Sequence, residues 1–394
     1  MLRSMATSSG STTVGIVGGG QLARMMYQAA IPLGLSPRIM AEHADDAAAL
    51  VAADVTIGSP TSASDLRAFA AQCGVLTFDH ELVDAATLDD LERSGHAIRP
   101  GAATVRLAQD KRRQRAEFSR LGLPVPVYRE IERWSDLDAF GQEHGWPVVA
   151  KAGRGGYDGR GVWVLRDQEE AAALAASLAD RDITLLIERW VPIERELATL
   201  VARRPSGEMV VYPVVETVQR HGMCHEVVAP APISAAVTTE AERLARTVAE
   251  SSGLVGMLAL ELFLTGDEIV INEIAARPHN SGHLTIEGAE TSQFEQHLRA
   301  VLDWPLGRTA LTAPAVAMVN VIGADVSESD DPAARRHEAL SIPGVHLHLY
   351  GKAYREGRKL GHVTALGETI DEARDRARRA ASALAGERIQ GMSA

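Results

Sequence analysis

Over the first hundred residues, short apolar runs alternate with glycine turns and alanine-rich helical stretches. Residues 13–17 read as a strand, Gly18–Gly20 as its turn, and the segment from Gln21 to Met26 as the start of a helix. Further strands are predicted at 38–41, 54–57 and 75–78, each separated by helical sequence, which is the pattern of a parallel α/β sheet. The rhythm changes near residue 105. A charged helix runs from Asp110 through Phe118 towards Gly122, and Pro124 and Pro126 punctuate the connection after it. Its basic run predicts a solvated face. Beyond it hairpins and helices mix, as in α+β lobes: strands at 146–150, 162–165, 260–263 and 270–274, and a helix over 238–252 with Leu244 and Val248 at helical spacing. A helix carrying Phe294, Leu298 and Val301 breaks at Trp304-Pro305-Leu306-Gly307, and strands at 316–322 and 345–350 and an amphipathic helix over 370–384 come after the break. The implied organisation is a disordered Ser/Thr-rich tail (1–12), an α/β domain (13–105), a larger middle domain (106–306) and a small C-terminal domain (307–386).

A length of 394 residues, 46% of them hydrophobic, fits two or three folded domains. The net charge of −12 disfavours generic binding to nucleic acid or to an anionic membrane, so an anionic substrate must meet local basic groups. Cys73 and Cys224 are the only cysteines and neither has metal-binding or CxxC spacing, which suits a reducing cytoplasm. No stretch approaches the roughly 20 apolar residues that span a bilayer, and the tail lacks the apolar segment of a signal peptide.

Three places carry candidate chemistry. Lys151 ends an apolar strand and opens a loop with Gly153, Gly155, Gly156, Gly159 and Gly161, an arrangement that lets backbone N–H groups and a mobile cation meet a phosphate. An unpaired lysine on such a strand is costly, and a ligand phosphate would relieve that cost. Glu261 and Asn272-Glu273 lie on apolar strands and supply hard oxygen ligands suited to magnesium, since burial without a cation would protonate at least one carboxylate. The turn Gly18-x-Gly20-x-x-Ala23, with Glu42 after the second strand, matches the dinucleotide-binding pattern and makes an NAD enzyme the rival reading, although any anion can use such a turn. His279 and His283 have zinc-helix spacing, but Gly282 and the absence of the intervening glutamate argue against a zinc site. His346 and His348 share one face of a strand and are assigned no chemistry.

Lys151 and its loop, Glu188, Glu261 and Asn272-Glu273 occur in an order that resembles the ATP-grasp superfamily. Segments 272–283 and 156–161 resemble those of the N5-carboxyaminoimidazole ribonucleotide synthetases of purine biosynthesis, over nearly the whole chain. The resemblance implies an ATP-grasp fold with a Rossmann-like N-terminal domain and a small C-terminal domain. It implies an ATP-dependent carbon–nitrogen ligase, using ATP with magnesium and bicarbonate to carboxylate 5-aminoimidazole ribonucleotide, in a cytoplasmic homodimer. ATP would meet Arg106, Lys151, the loop residues Gly156, Tyr157, Asp158, Gly159, Arg160 and Gly161, the hinge Glu188, Arg189, Trp190 and Val191, then Glu196, Gln219, Asn272 and Glu273. Gln219 stands where the family often has histidine. The ribonucleotide would meet Gln21, Leu22, Glu81, Tyr157, Asp158, Arg160, Asn280, Ser281, Lys352 and Arg358, with Arg277, His279 and Lys352 at the reacting groups and Glu261 and Glu273 on the metal. A plain alternative for Glu81 is the cap of a local helix. Rival activities are a related ligase that couples formate, an NAD-dependent enzyme, and a nucleotide-binding regulator without turnover.

Overall fold

The computed structural model describes residues 12–156, 159–179, 181, 183–220, 222–324 and 331–386. Tyr157 and Asp158, both expected in the site, and the tail lie outside the described residues.

Five parallel strands form the first sheet, in the order β3-β2-β1-β4-β5: β1 (Val14–Val17), β2 (Arg38–Ala41), β3 (Val55–Ile57), β4 (Val75–Phe78) and β5 (Ala97–Ile98). Every residue of β1 and β4 is buried, as central strands covered on both faces require. A second sheet has the order β6-β9-β7-β8, from β6 (Tyr128–Ile131), β7 (Val148–Ala152), β8 (Val162–Leu165) and β9 (Leu185–Arg189). The third and largest sheet takes β10 (Arg195–Arg203), β11 (Met209–Val211), β12 (Val215–Arg220), β13 (Met223–Ala229), β14 (Gly256–Thr265), β15 (Glu268–Ala275), β16 (Ala315–Ile322), β17 (Val345–Leu349) and β18 (Lys359–Gly367). Its path is β15-β14-β10-β12-β13-β16-β18-β17, with β11 on β10. Pairing of β13 with β16, Val227 opposite Met318, makes the C-terminal strands a continuation of the sheet that the middle of the chain begins. The helix Ile370–Ala385 closes this end: Arg374 and Arg378 both donate to the fully buried Glu226 of β13.

The helix Lys111–Arg120 is capped by Asp110, whose carboxylate accepts from the Arg112 amide. Contrary to the solvated face expected for it, Gln114, Arg115 and Phe118 are buried and the Lys111 side chain is only 14% exposed. Positions 111, 114, 115 and 118 form one helical face, so Lys111 and Arg115 point into the molecule while Arg113 and Arg120 stay on the exposed face. The helix Gln293–Val301 packs Phe294 and Leu298 against Met25, Met26 and Ala30 of the helix Gln21–Ala30, joining the first domain to the large sheet.

Candidate active site

The second and third sheets face each other across a cavity of about 470 Å³. β7 and β9 bring Lys151 and Glu188 to one wall, β14 and β15 bring Glu261, Asn272 and Glu273 to the other, and the segment after β15 brings Arg277, His279, Asn280 and Ser281 to one end. Arg189, Trp190, Val191, Glu196 and Gln219 line it as well, together with Gly156 and Gly159 of the glycine loop. Gly159 and Gly161 have φ of +75° and +74°, and a Cβ on Gly159 would come within 2.8 Å of the Gly222 backbone. Arg160 is exposed and outside the lining.

Lys151 is not an unpaired buried charge. Its Nζ lies 2.8 Å from Glu188 Oε2 and donates to Asn272 Oδ1 at 3.0 Å. Glu188, 2% exposed, also accepts from Arg115 Nε at 2.5 Å. Burial works against its ionisation, but Lys151 and then Arg115 outweigh it and hold the carboxyl at about 2. The Glu188 side chain is thus committed to two cations, which leaves only its backbone for a base. Asn272 is fixed in turn, donating from Nδ2 to Glu261 Oε2 at 3.1 Å.

Glu261 and Glu273 stand opposite each other across the β14–β15 ladder. Glu273 is paired with Lys111, a cavity residue that the sequence pattern did not single out. Burial lowers Lys111 to about 8 and raises Glu261 above the usual carboxylate range. Among the described residues no group of three or more His, Cys, Asp or Glu forms a metal centre. Two carboxylates facing each other on the cavity wall, with an adjacent amide, still fit magnesium, which keeps few protein ligands and takes the rest from phosphate and water.

At the other end, Arg277 donates from Nε to Glu81 Oε2 at 2.7 Å. Glu81 is not a helix cap: Asp84 caps the helix Ala85–Arg93, and Glu81 lines the cavity. His279 Nε2 lies 3.2 Å from Glu261 Oε1, and its Nδ1 accepts from the Ser281 amide at 3.3 Å, which makes Nε2 the protonated nitrogen. Burial, with Arg277 and Lys359 adding to it, holds this imidazole neutral with its pKa lowered to about 3. Both polar side-chain atoms of Asn280 are buried without a partner while the residue lines the cavity, so it has hydrogen bonds to offer a ligand.

Arg106 does not reach this cavity. Its guanidinium makes a fork with Asp89 on the helix Ala85–Arg93. Leu22 is buried in the core of the first domain. Gln21 accepts from Lys352 Nζ at 2.7 Å, which brings the loop between β17 and β18 to the start of the first helix, outside the lining of the main cavity. Burial, and the nearby Arg358 and Lys359, lower the Lys352 pKa, so these basic groups are clustered. The backbone N–H of Gly20 donates to Asp79 Oδ2 at 2.7 Å, and a Cβ on Gly18 would overlap Asp79 Oδ1. The protein's own carboxylate fills the anion cradle of the glycine turn, which opposes a pyrophosphate there and leaves the NAD reading without its main contact.

The ATP-grasp domain family matches residues 116–294, the ribonucleotide synthetase preATP-grasp domain residues 11–109, and the phosphoribosylaminoimidazole carboxylase C-terminal domain residues 316–376. N5-carboxyaminoimidazole ribonucleotide synthase of Mycobacterium tuberculosis is 46% identical over 378 residues, 95% of this chain and 88% of its own length. This chain belongs to the N5-carboxyaminoimidazole ribonucleotide synthase family. Its ATP-grasp domain accounts for the second sheet and for β10 to β15 of the third, its C-terminal domain for β16 to β18, and its preATP-grasp domain for the parallel sheet. Among solved structures, the synthetase from Thermus thermophilus superposes with a TM-score of 0.85 at 38% identity, covering 96% of this chain and 100% of that one. The synthase from Aspergillus clavatus, in complex with ADP and 5-aminoimidazole ribonucleotide, has a TM-score of 0.85 at 33% identity and covers 95% and 98%.

Proposed function

We propose that this chain is an ATP-dependent carbon–nitrogen ligase that carboxylates 5-aminoimidazole ribonucleotide on its exocyclic amine, using bicarbonate and releasing ADP and phosphate, in purine biosynthesis. One observation carries the reading: a single cavity holds a cationic end (Lys111, Lys151) beside paired carboxylates (Glu261, Glu273) and, next to them, a neutral imidazole and a guanidinium (His279, Arg277). The first group suits a triphosphate, the second a small anion and an amine.

In this reading a bicarbonate oxygen attacks the γ-phosphorus of ATP and ADP leaves, giving carboxyphosphate. The carboxyl carbon then passes to the amine, either directly or as CO2 released within the closed site, while phosphate departs and the amine gives up one proton. Lys151, kept in place by Glu188 and Asn272, meets the charge that develops on the transferred phosphoryl group, and Lys111 approaches from the other wall. Arg277 holds bicarbonate from the end anchored by Glu81, and His279, neutral, offers hydrogen bonds without adding charge. Glu261 and Glu273, with Asn272, are the residues that would hold magnesium, which supplies charge neutralisation at the β- and γ-phosphates. Burial of these groups and the glycine loop over the cavity keep water from the reactive anhydride. The ribonucleotide phosphate lies at the Lys352 and Arg358 cluster, which the Lys352–Gln21 contact joins to the start of the first helix. We also propose, on the family resemblance, a cytoplasmic homodimer; sedimentation of the purified chain tests the dimer.

The test is ADP release from ATP with bicarbonate or formate, and with 5-aminoimidazole ribonucleotide added or withheld. Turnover yielding carboxylated product is expected only with bicarbonate and ribonucleotide together. Product made from formate, or none from bicarbonate, would overturn the reading.

A further inference from the structure

We infer that Gln293 is a positioning residue for carboxyl transfer, acting by gripping His279 through both polar groups of its backbone. Gln293 is fully buried and absent from the cavity lining, so it touches no substrate. Its Oε1 accepts from the His279 amide at 2.8 Å and its Nε2 donates to the His279 carbonyl at 2.7 Å. A side-chain amide paired in this two-point manner fixes a backbone unit much as the ladder of a neighbouring strand does. The second hydrogen of Nε2 goes to His283 Nδ1 at 3.2 Å, so His283, a residue without a role in the chemistry, completes the grip.

Packing and anchorage both support this role. Gly282 lies so close that a Cβ there would be 2.4 Å from Gln293 Oε1, and the loop can pack onto the amide only with glycine at that position. Gln293 is also the first residue of the helix Gln293–Val301, whose own placement is set from elsewhere. His297, four residues on, accepts the Met257 amide of β14 at Nδ1 and therefore donates from Nε2 to Thr77 Oγ1 of β4, at 2.6 Å. Thr77 precedes Asp79 and Glu81 on the first domain, and β14 carries Glu261. One helix thus references the His279 loop to the β14 wall that carries Glu261 and to the first domain that carries Glu81, and Gln293 is the link through which that reference reaches the imidazole.

The inference rests on the reading of the Arg277–His279 segment as the carboxyl-transfer end of the cavity. The experiment therefore tracks two products, ADP and carboxylated ribonucleotide. Gln293→Met keeps the volume and removes every hydrogen bond. It is expected to lower the ratio of product to ADP by about ten- to a hundredfold, the scale of an ångström-sized misplacement, while the ATP KM stays within about twofold. Gln293→Glu is the conservative rescue: protonated it can accept from the His279 amide and give its one proton to the His279 carbonyl, losing only the His283 bond, while ionised it cannot donate at all. Its ratio relative to wild type should fall as pH rises between about 6 and 9. An unchanged ratio in Gln293→Met, even with a lowered melting temperature, would make the residue merely structural and overturn the inference. Should that chain not fold, a pH-independent relative ratio in Gln293→Glu overturns it equally. Wild-type chain that makes no bicarbonate-dependent product would instead sink the proposed function itself.

Discussion

Glu188→Gln takes one negative charge from a buried group of three and leaves Arg115 and Lys151 facing each other. In the wild type Glu188 is 2% exposed and contacts those cations at 2.5 and 2.8 Å. Its carboxyl is held at about 2 against an ordinary 4.5, burial notwithstanding, because Lys151 and Arg115 together favour the charged form more strongly. That gap corresponds to about 3 kcal/mol of stabilisation at neutral pH. Removing one partner of a buried pair typically costs about 3–5 kcal/mol, so two independent routes give the same size of effect. The sign is set by the depressed pKa: the contribution is complete above pH 4.5 and is lost as pH falls through about 2. Urea unfolding at pH 7 is the assay, with Glu188→Gln expected to be about 3–5 kcal/mol less stable at unchanged denaturant slope. The same variant should lose one proton's worth of acid dependence between pH 4.5 and about 2. ATP should restore more stability to the variant than to the wild type, since its phosphates offer the orphaned Lys151 a new anion. A loss below about 1 kcal/mol would refute the claim that this ion group organises the site.

Lys111→Ala should raise the ATP KM by about tenfold or more, whereas Arg106→Ala should leave it unchanged, because Arg106 is spent on Asp89 outside the cavity; steady-state kinetics of the two variants decides between them. Glu273→Gln, which keeps shape but not charge, should abolish most ATP turnover in a folded chain, and wild-type turnover across a magnesium titration would rule out its place on the metal. Arg358→Ala should raise the KM for 5-aminoimidazole ribonucleotide by about 10- to 150-fold with little change for ATP, and Arg358→Lys should recover part of it. On acidification, His297, which burial lowers to about 3, resists the proton that the unfolded chain accepts below 6.5 and should cost about 1.4 kcal/mol per pH unit until about 3; His279, His283 and His362 are lowered too, so urea unfolding between pH 7 and 5 should show a wild-type slope steeper than that and a slope reduced by about 1.4 kcal/mol per unit in His297→Gln.

Apolar periodicity located the elements with strong patterns to within a few residues. Strand 75–78 coincides with the sequence expectation, and 146–150 is displaced to Val148–Ala152 because Pro147 lacks a donor for the ladder. Less legible was any face that carries charge inward. Arg115 and Lys111 occupy positions that periodicity reserves for apolar residues, and only the spacing of 111, 115 and 118 betrays that they share a face with the buried Phe118. Their partners, Glu188 and Glu273, lie more than seventy residues away, so no local pattern announces the pairs. The join between β13 and β16 was hidden for the same reason: a proline-broken helix end looks like a domain boundary, while sheet continuity depends on a pairing ninety residues apart. Asp79 in the glycine turn shows the limit of motif reading. The turn has the residues of a dinucleotide site, and a carboxylate from the neighbouring strand decides what it can hold.

Phosphorylation of bicarbonate is the step on which the account depends, and an isotope traces it directly. With ¹⁸O-labelled bicarbonate, ATP and 5-aminoimidazole ribonucleotide, attack on the γ-phosphorus places one bicarbonate oxygen in the released phosphate for each carboxylated product. The phosphorus resonance should show that label transfer in proportion to product. Carboxylated ribonucleotide accompanied by unlabelled phosphate would contradict the account.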